Sequence, residues 1–412
     1  MRNQTVKAAA LVAAGVVLLA ACSTNKDESS GGGSGNQSSS CDQSKGTLVV
    51  GVIAPLSGDL SALGAGIKNA SQLAVDQANK ECKVPGYKLA LEPLDDERDP
   101  TKGAQAATKL ASEDGVVGVV GTLNSSVAQS VAPILAQNNI LQISPANTND
   151  ALTKGEDFLK SPKRVWKTYF RTCTVDSFQG PYAANYLIDK AGKKNIAIVT
   201  NGLTYGEGLA DTFTTQAEKK GAKIVTRQKV GENDTDFSSV IAAIKPFNPD
   251  AVYFGGEYPG AGPLSKQLAS AGLNVPVMGG DGIYDKAFIE LGGKDGDLAT
   301  SVGAPTDTLD SAKAFIKAYD GAGFKEGYSA YGAFAYDAAN AIIGSLAKAI
   351  GSGEWSSDKR DALLTAVGEY SADGATGTVK FDKFGDSTNT VLTVYQVKGS
   401  DWAPVQTGKF EG

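Results

Sequence analysis

From Thr47 onward the chain alternates short β-rich runs with helix-patterned segments, and this alternation constrains the fold more than any other feature. Leu48-Val49-Val50-Gly51-Val52-Ile53 reads as a buried strand, followed by a helix over about 64–80 and a strand over 87–94. Ala104, Ala107, Leu110 and Ala111 recur at helical spacing and predict a helix over 101–114. Val116 to Val120 leads to a helix from Ser125, and the strand over 140–143 closes the first series. A second series opens with Ile196-Ala197-Ile198-Val199, a helix after Tyr205, a strand over 223–230 and a helix over 237–245. Strands at 251–254 and 276–278 follow, separated by a helix near 263–271. Two successive series of this kind predict two α/β domains with parallel sheets. A long Ala-rich helix over 330–350 and strands near Val379 and Val391 imply that the chain crosses between domains again.

The residues ahead of this series obey a different logic. Arg2 and Lys7 precede an apolar or small-residue run over 8–21, shorter than the roughly 20 residues that span a bilayer as a helix. Leu19-Ala20-Ala21-Cys22 ends that run as a lipoprotein cleavage box. The mature chain is therefore expected to start at a lipidated Cys22, on the outer face of the cytoplasmic membrane. An ordinary secretory leader with an incidental cysteine, or an uncleaved anchor, is the alternative. Residues 23–44, with Gly31-Gly32-Gly33-Ser34-Gly35 and Ser38-Ser39-Ser40, are too polar to bury a core and read as a flexible tether. One acyl chain anchors only marginally, and a diacylated, palmitate-type cysteine supplies more than one.

Composition narrows the functions open to the folded part. The chain is 42% hydrophobic and 20% charged, as soluble globular proteins are. Its 39 Lys and Arg against 45 Asp and Glu argue against a nucleic-acid partner. Histidine is absent, which removes His-based triads, the usual general base and His-containing zinc sites. No nucleophile–base set or metal cluster is apparent, so neither catalysis nor a cofactor is expected. Cys41, Cys82 and Cys173 remain once Cys22 is lipidated, an odd number for an oxidising compartment. Cys41 precedes the first strand and Cys82 ends the first helix, which favours a Cys41–Cys82 disulfide. Cys173 reads as a buried free thiol.

Gly64-Ala65-Gly66 lacks the third glycine of a dinucleotide fingerprint, since Asn69 stands there, and is read as a loop and helix start. Asp95-Asp96-Glu97 with Asp99 fits neither a glycosidase carboxylate pair nor a calcium loop, and is read as a solvated loop before a helix. Two segments are more specific, Gly121-Thr122-Leu123-Asn124-Ser125-Ser126 and Ser144-Pro145-Ala146-Asn147-Thr148-Asn149. Each follows a strand at the carboxyl edge of a sheet and offers hydroxyls and free backbone N–H groups, and both are expected to open a helix, a receptor for a carboxylate. Plain helix capping is the alternative for either alone. Tyr205 and Asp281 follow strands of the second series, and an acidic group facing a pocket is what an ammonium needs; packing and a turn are their structural alternatives.

From Thr47 to Val405 the chain resembles the branched-chain amino-acid-binding proteins of bacterial ABC importers, the type 1 periplasmic binding proteins. The likeness rests on Val52-Ile53-Ala54-Pro55-Leu56-Ser57-Gly58, Asp95-Asp96, Asn124-Ser125-Ser126, Ser144-Pro145-Ala146 with Thr148, the 176–181 segment, Tyr205-Gly206-Glu207-Gly208-Leu209-Ala210 and Tyr253-Phe254-Gly255-Gly256. It implies two Rossmann-like lobes with parallel sheets, joined by three crossovers around a ligand cleft. Leader 1–21 and tether 22–45 would precede lobe 1 (46–174 and 303–378) and lobe 2 (175–302 and 379–410). By the same likeness Ser125, Ala146, Asn147 and Thr148 would face the carboxylate of a small amino acid, and Tyr205 and Asp281 its amino group. The chain departs from the family at Leu63, where an aromatic residue is common, and at Glu257, where a pocket tyrosine is common, with Tyr258 one position on and expected to contact the ligand. Arg98 and Asn124 occupy the places of a frequent lobe 1 disulfide. The function implied is capture of a small, branched-chain amino acid for an ABC permease, with the membrane met only through the lipid anchor. A receptor of the same fold for an aromatic acid, amide or urea, and a tethered sensor without transport, are the alternatives.

Overall fold

The computed structural model describes residues 41–411; the expected leader, the expected lipidation site Cys22 and most of the expected tether lie outside them. The first series forms β1 (Thr47–Ala54), α1 (Ser61–Lys80), β2 (Lys88–Asp95), α2 (Pro100–Ala111), β3 (Val116–Gly121), α3 (Ser125–Gln137), β4 (Leu141–Ser144), α4 (Ala151–Lys154) and β5 (Tyr169–Arg171). These five strands make one parallel sheet in the order β2-β1-β3-β4-β5. β3 and β4 are buried along their whole length, as continuous apolar strands covered on both faces should be, while the edge strand β2 is half exposed.

The second series forms α5 (Asp176–Asn185), β6 (Asn195–Thr200), α6 (Thr204–Lys219), β7 (Lys223–Lys229), α7 (Ser238–Ile244), β8 (Ala251–Gly255), α8 (Tyr258–Ser270), β9 (Val277–Gly279), α9 (Lys286–Glu290) and β10 (Leu298–Val302). After it come α10 (Lys313–Gly321), α11 (Gly332–Ile350), α12 (Arg360–Gly368), the β11 (Ser371–Gly374) and β12 (Gly377–Lys380) hairpin, and finally β13 (Val391–Lys398) and β14 (Asp401–Lys409). The second sheet has the order β14-β13-β10-β9-β8-β6-β7.

Its strands from β7 to β10 are parallel, but β13 and β14 join antiparallel, a departure from the all-parallel expectation. For β14 the cause is local: Gly399 turns the chain at φ +64 straight from β13 into β14, and two strands joined by so short a turn cannot run parallel. Helix α11 leaves the second sheet's neighbourhood to pack on α1 and on β3 and β4. Gly332 lets it lie close to α1: a Cβ there would stand 3.6 Å from the Gly66 carbonyl and 3.7 Å from the Ala70 Cβ. The chain thus passes between the lobes three times, after β5, after β10 and after β12.

Two local expectations shift, and the cysteine pairing stands. Helix α8 starts at Tyr258 rather than near Pro263, with Pro259 in its first turn, where a missing N–H costs nothing. Asp99 caps α2 by accepting from the Thr101 and Lys102 amides at 2.6 and 3.2 Å. Its neighbour Asp96, read as part of a solvated loop, is instead fully buried, and burial pushes its carboxyl up to about 7. Cys41 and Cys82 form a disulfide across a Cα–Cα distance of 5.4 Å, and Cys173 is buried and free.

Candidate functional site

Lobe 1 builds its half of the site on the carboxyl ends of β3 and β4. Asn124 is the N-cap of α3 but makes no side-chain cap bond, so the first turn presents open amides beside the buried Ser125. That is the positive end of a 13-residue helix. The Ser144–Asn149 segment behaves differently from the expectation. The Ser144 hydroxyl donates to the Thr122 carbonyl at 2.9 Å and accepts from the amides of Ala146 and Asn147 at 3.2 and 2.8 Å. Those amides are therefore already engaged, and the four-residue α4 that follows begins only at Ala151.

Asn147 is buried and fully used as scaffold. Its carbonyl oxygen accepts from the Tyr169 hydroxyl at 2.8 Å and its amide donates to the Leu123 carbonyl at 2.8 Å. It positions the loop, and its side chain is not available to a ligand. Thr148 is also buried, with its hydroxyl beside the Asp176 carboxylate; neither that hydroxyl nor Asp176 Oδ2 finds a hydrogen bond of normal geometry among the described residues.

A buried cation that the sequence did not reveal locks this loop. Arg171 donates to the carbonyls of Asn147 and Asn149 at 2.7 and 2.9 Å and pairs with Asp386 at 2.7 Å. Lys154 joins Asp150 at 2.8 Å and Asp386 at 3.0 Å. Burial alone would raise the Asp386 carboxyl, but the charges of Arg171 and Lys154 outweigh it and hold it below its usual range. The Cys173 thiol, pushed up by burial, donates to the Asn147 carbonyl at 3.3 Å.

Lobe 2 contributes Asp281, just past β9. Gln179 Nε2 and the Tyr205 hydroxyl donate to its Oδ1 at 2.9 and 2.8 Å, and the Tyr331 hydroxyl donates to Oδ2 at 2.9 Å. Tyr331 reaches over from the start of α11, so donors from both lobes meet on one carboxylate. Burial raises the Asp281 carboxyl, and the three donors offset only part of that rise. Tyr205 can reach it because α6 starts hard against β8: a Cβ on Gly206 would lie 2.3 Å from the Gly255 carbonyl. Asp176 stands in the field of Asp281 and is itself raised by burial. Gln179 and Tyr331 escaped the sequence reading, although Gln179 lies inside the 176–181 segment.

The lobes also touch around this centre. Asn124 donates to Glu257 Oε1 at 3.0 Å, while Asn201 of lobe 2 donates to Oε2 at 2.8 Å. Tyr258 sends its hydroxyl to the Asp59 carbonyl, so it clasps the lobes together. Thr204 donates to Gln129 at 2.8 Å, and Arg98 pairs with Glu232 at 2.6 Å. Ser125, Ala146, Thr148, Tyr205, Tyr258, Asp281 and Leu63 are all buried, the arrangement of a closed cleft. It sets the uncapped amides of α3 on one side and a buried carboxylate on the other.

Comparison with known proteins agrees with this architecture. The sequence model of the family described as periplasmic binding protein matches residues 47–401. A Leu/Ile/Val-binding protein of Rhizobium johnstonii is 33% identical over 352 residues, 85% of this chain and 91% of the relative. Leu/Ile/Val-binding protein homolog 2 of Brucella abortus is 31% identical over 365 residues, 88% of this chain and 92% of the relative. Among solved structures, a leucine-binding protein from Thermotoga maritima matches with a TM-score of 0.78 at 26% identity, covering 87% of this chain and 98% of that one. A branched-chain amino acid transporter substrate-binding protein from Streptococcus pneumoniae, solved with isoleucine, matches with a TM-score of 0.76 at 25% identity, covering 88% and 99%. With a two-lobed α/β fold and a closed interlobe cleft, this chain belongs to the periplasmic binding proteins and is a substrate-binding protein of the ABC-importer type.

Proposed function

We propose that the chain captures a free α-amino acid outside the cytoplasmic membrane and delivers it to an ABC permease without breaking any bond. The observation that carries this reading is the buried Asp281, held by donors from both lobes. In the same cleft, the amides of α3, Ser125 and the unpartnered hydroxyl of Thr148 provide the complement for a carboxylate. An amino-acid head group satisfies both ends at once, and binding both lobes stabilises the closed form. Hinge closure around a ligand is the established behaviour of periplasmic binding proteins. The relatives' names make leucine, isoleucine and valine the first ligands to try.

Lipidation of Cys22 would tether the receptor through the Ser/Gly segment and raise its effective concentration beside the permease. Among the described residues no helix is long and apolar enough to cross a membrane.

Calorimetric titration tests the head-group assignment. An amino acid should bind at least tenfold tighter than the matching carboxylic acid without its amino group, and Asp281→Ala should erase that difference; tenfold is about 1.4 kcal/mol. Tighter binding of the amino-free acid would sink the assignment. For the anchor, Cys22→Ala should release the protein from the membrane fraction.

A further inference from the structure

The interlobe contact at Glu257 has an unusual hydrogen-bond balance. Glu257 caps α8 and Asn124 caps α3, yet neither side chain serves its own helix. They are 6% and 4% exposed and meet each other instead, at 3.0 Å across the cleft. Each Glu257 oxygen receives one amide N–H, from Asn124 or Asn201, and a carboxylate oxygen can accept a second. Asn124 Oδ1 has no partner among the described residues. The unused capacity of this pair is therefore mostly acceptor, with the second Asn124 N–H as its one spare donor. Turning the Asn124 amide over does not help, because it would set its oxygen against the carboxylate.

This pair lies within the proposed binding cleft. Asn124 directly precedes Ser125, and Tyr331, which bonds Asp281, stands in the electrostatic field of both Asp281 and Glu257. Burial pushes the Glu257 carboxyl up, while the charge of the neighbouring Arg98 works against it. Arg98 spends its own hydrogen bond on Glu232 at 2.6 Å. An aliphatic ligand side chain would leave these buried acceptors without a donor, whereas an N–H or O–H would fill them.

We infer that Glu257 and Asn124 set side-chain specificity, selecting an α-amino acid whose side chain carries an N–H or O–H donor. This rests on the amino-acid reading above and narrows it.

Two nearly isosteric pairs isolate the effect, asparagine against leucine and threonine against valine, each titrated calorimetrically into the purified protein, with alanine as a probe of the head group alone. Asparagine and threonine should bind at least tenfold tighter than their aliphatic counterparts. Glu257→Gln and Asn124→Leu should each bring these ratios below about threefold, with unliganded melting curves showing that both variants fold. Leucine and valine binding as tightly as asparagine and threonine, or ratios unchanged in folded variants, overturns the specificity inference and leaves the amino-acid receptor standing. No binding by any of the five, alanine included, overturns the amino-acid reading and this inference with it.

Discussion

Lobe 1 and lobe 2 hold their halves of the cleft by different means. The lobe 1 loop at Asn147–Asp150 is tied down by buried charges, with Arg171 and Lys154 shared between Asp386, Asp150 and two loop carbonyls. Asp281 of lobe 2 is held only by neutral groups, an amide and two phenols. The first arrangement is electrically closed and belongs to the stability of the fold. The second keeps a buried carboxylate without a cation, which a ligand ammonium can supply. Disturbing the first should therefore unfold the protein, and disturbing the second should mainly weaken binding.

The largest effect should come from Arg171→Ala, which leaves buried Asp386 to Lys154 alone and strands two carbonyls, and it should cost about 3–5 kcal/mol in denaturant unfolding. Asp281→Ala in the same assay should cost far less without ligand. Equal losses would erase the distinction between the lobes.

Next in size is a pH effect confined to lobe 1. Asp96 is raised by burial to about 7 and Asp337, on α11, to about 6, both from 3.8. Between the unfolded and folded values the folded state binds more protons, so the contribution of these two carboxyls to stability is greatest below about pH 4 and falls as pH rises toward 7. For Asp96 alone the ceiling is about 4 kcal/mol, at 1.36 kcal/mol per unit. The stability difference between wild type and Asp96→Asn should drift by up to that amount from about pH 4 to 7.5 and then level off. A difference independent of pH would show that Asp96 ionises normally.

The Cys41–Cys82 bridge closes a separation of 41 residues within lobe 1. Replacing both cysteines with serine should cost about 2–4 kcal/mol, read as a lower midpoint in the same unfolding assay. An unchanged midpoint would mean that the bridge adds nothing to that lobe.

The smallest effect belongs to Arg98–Glu232, whose side chains are 10% and 30% exposed at the rim between the lobes. Glu232→Ala should cost about 0.2–1 kcal/mol of ligand affinity, and the loss should shrink at high salt. A loss larger than that of Asp281→Ala would move the main closing force from the centre of the cleft to its rim.

Ser125, Thr148, Tyr205 and Asp281 were legible in the sequence because each lies within a few residues of a strand's carboxyl end. Asn147 shows the limit of that logic: its position at the strand end is as favourable, but Tyr169 and Leu123 consume its side chain. Tyr258 likewise lies close to a strand end, yet its hydroxyl crosses to Asp59. β5 was missed because three residues between irregular segments carry no alternation to read.

Local pattern alone determined the strand–helix order, the parallel core of both sheets and the sheet edges that carry the cleft. Periodicity reports which face of an element is buried, and this depends on residues a few positions apart. The three-dimensional path decided which polar atoms are spent and which remain. Arg171 finds Asp386 215 positions away, Asp281 meets Gln179 at a separation of 102 and Tyr331 at 50, and Asn124 meets Glu257 at 133. The pairings of Asp281 with Tyr331 and of Asn124 with Glu257 exist only because the chain passes between lobes that close on each other, and hydrogen bonds are set by distance in space, not along the chain.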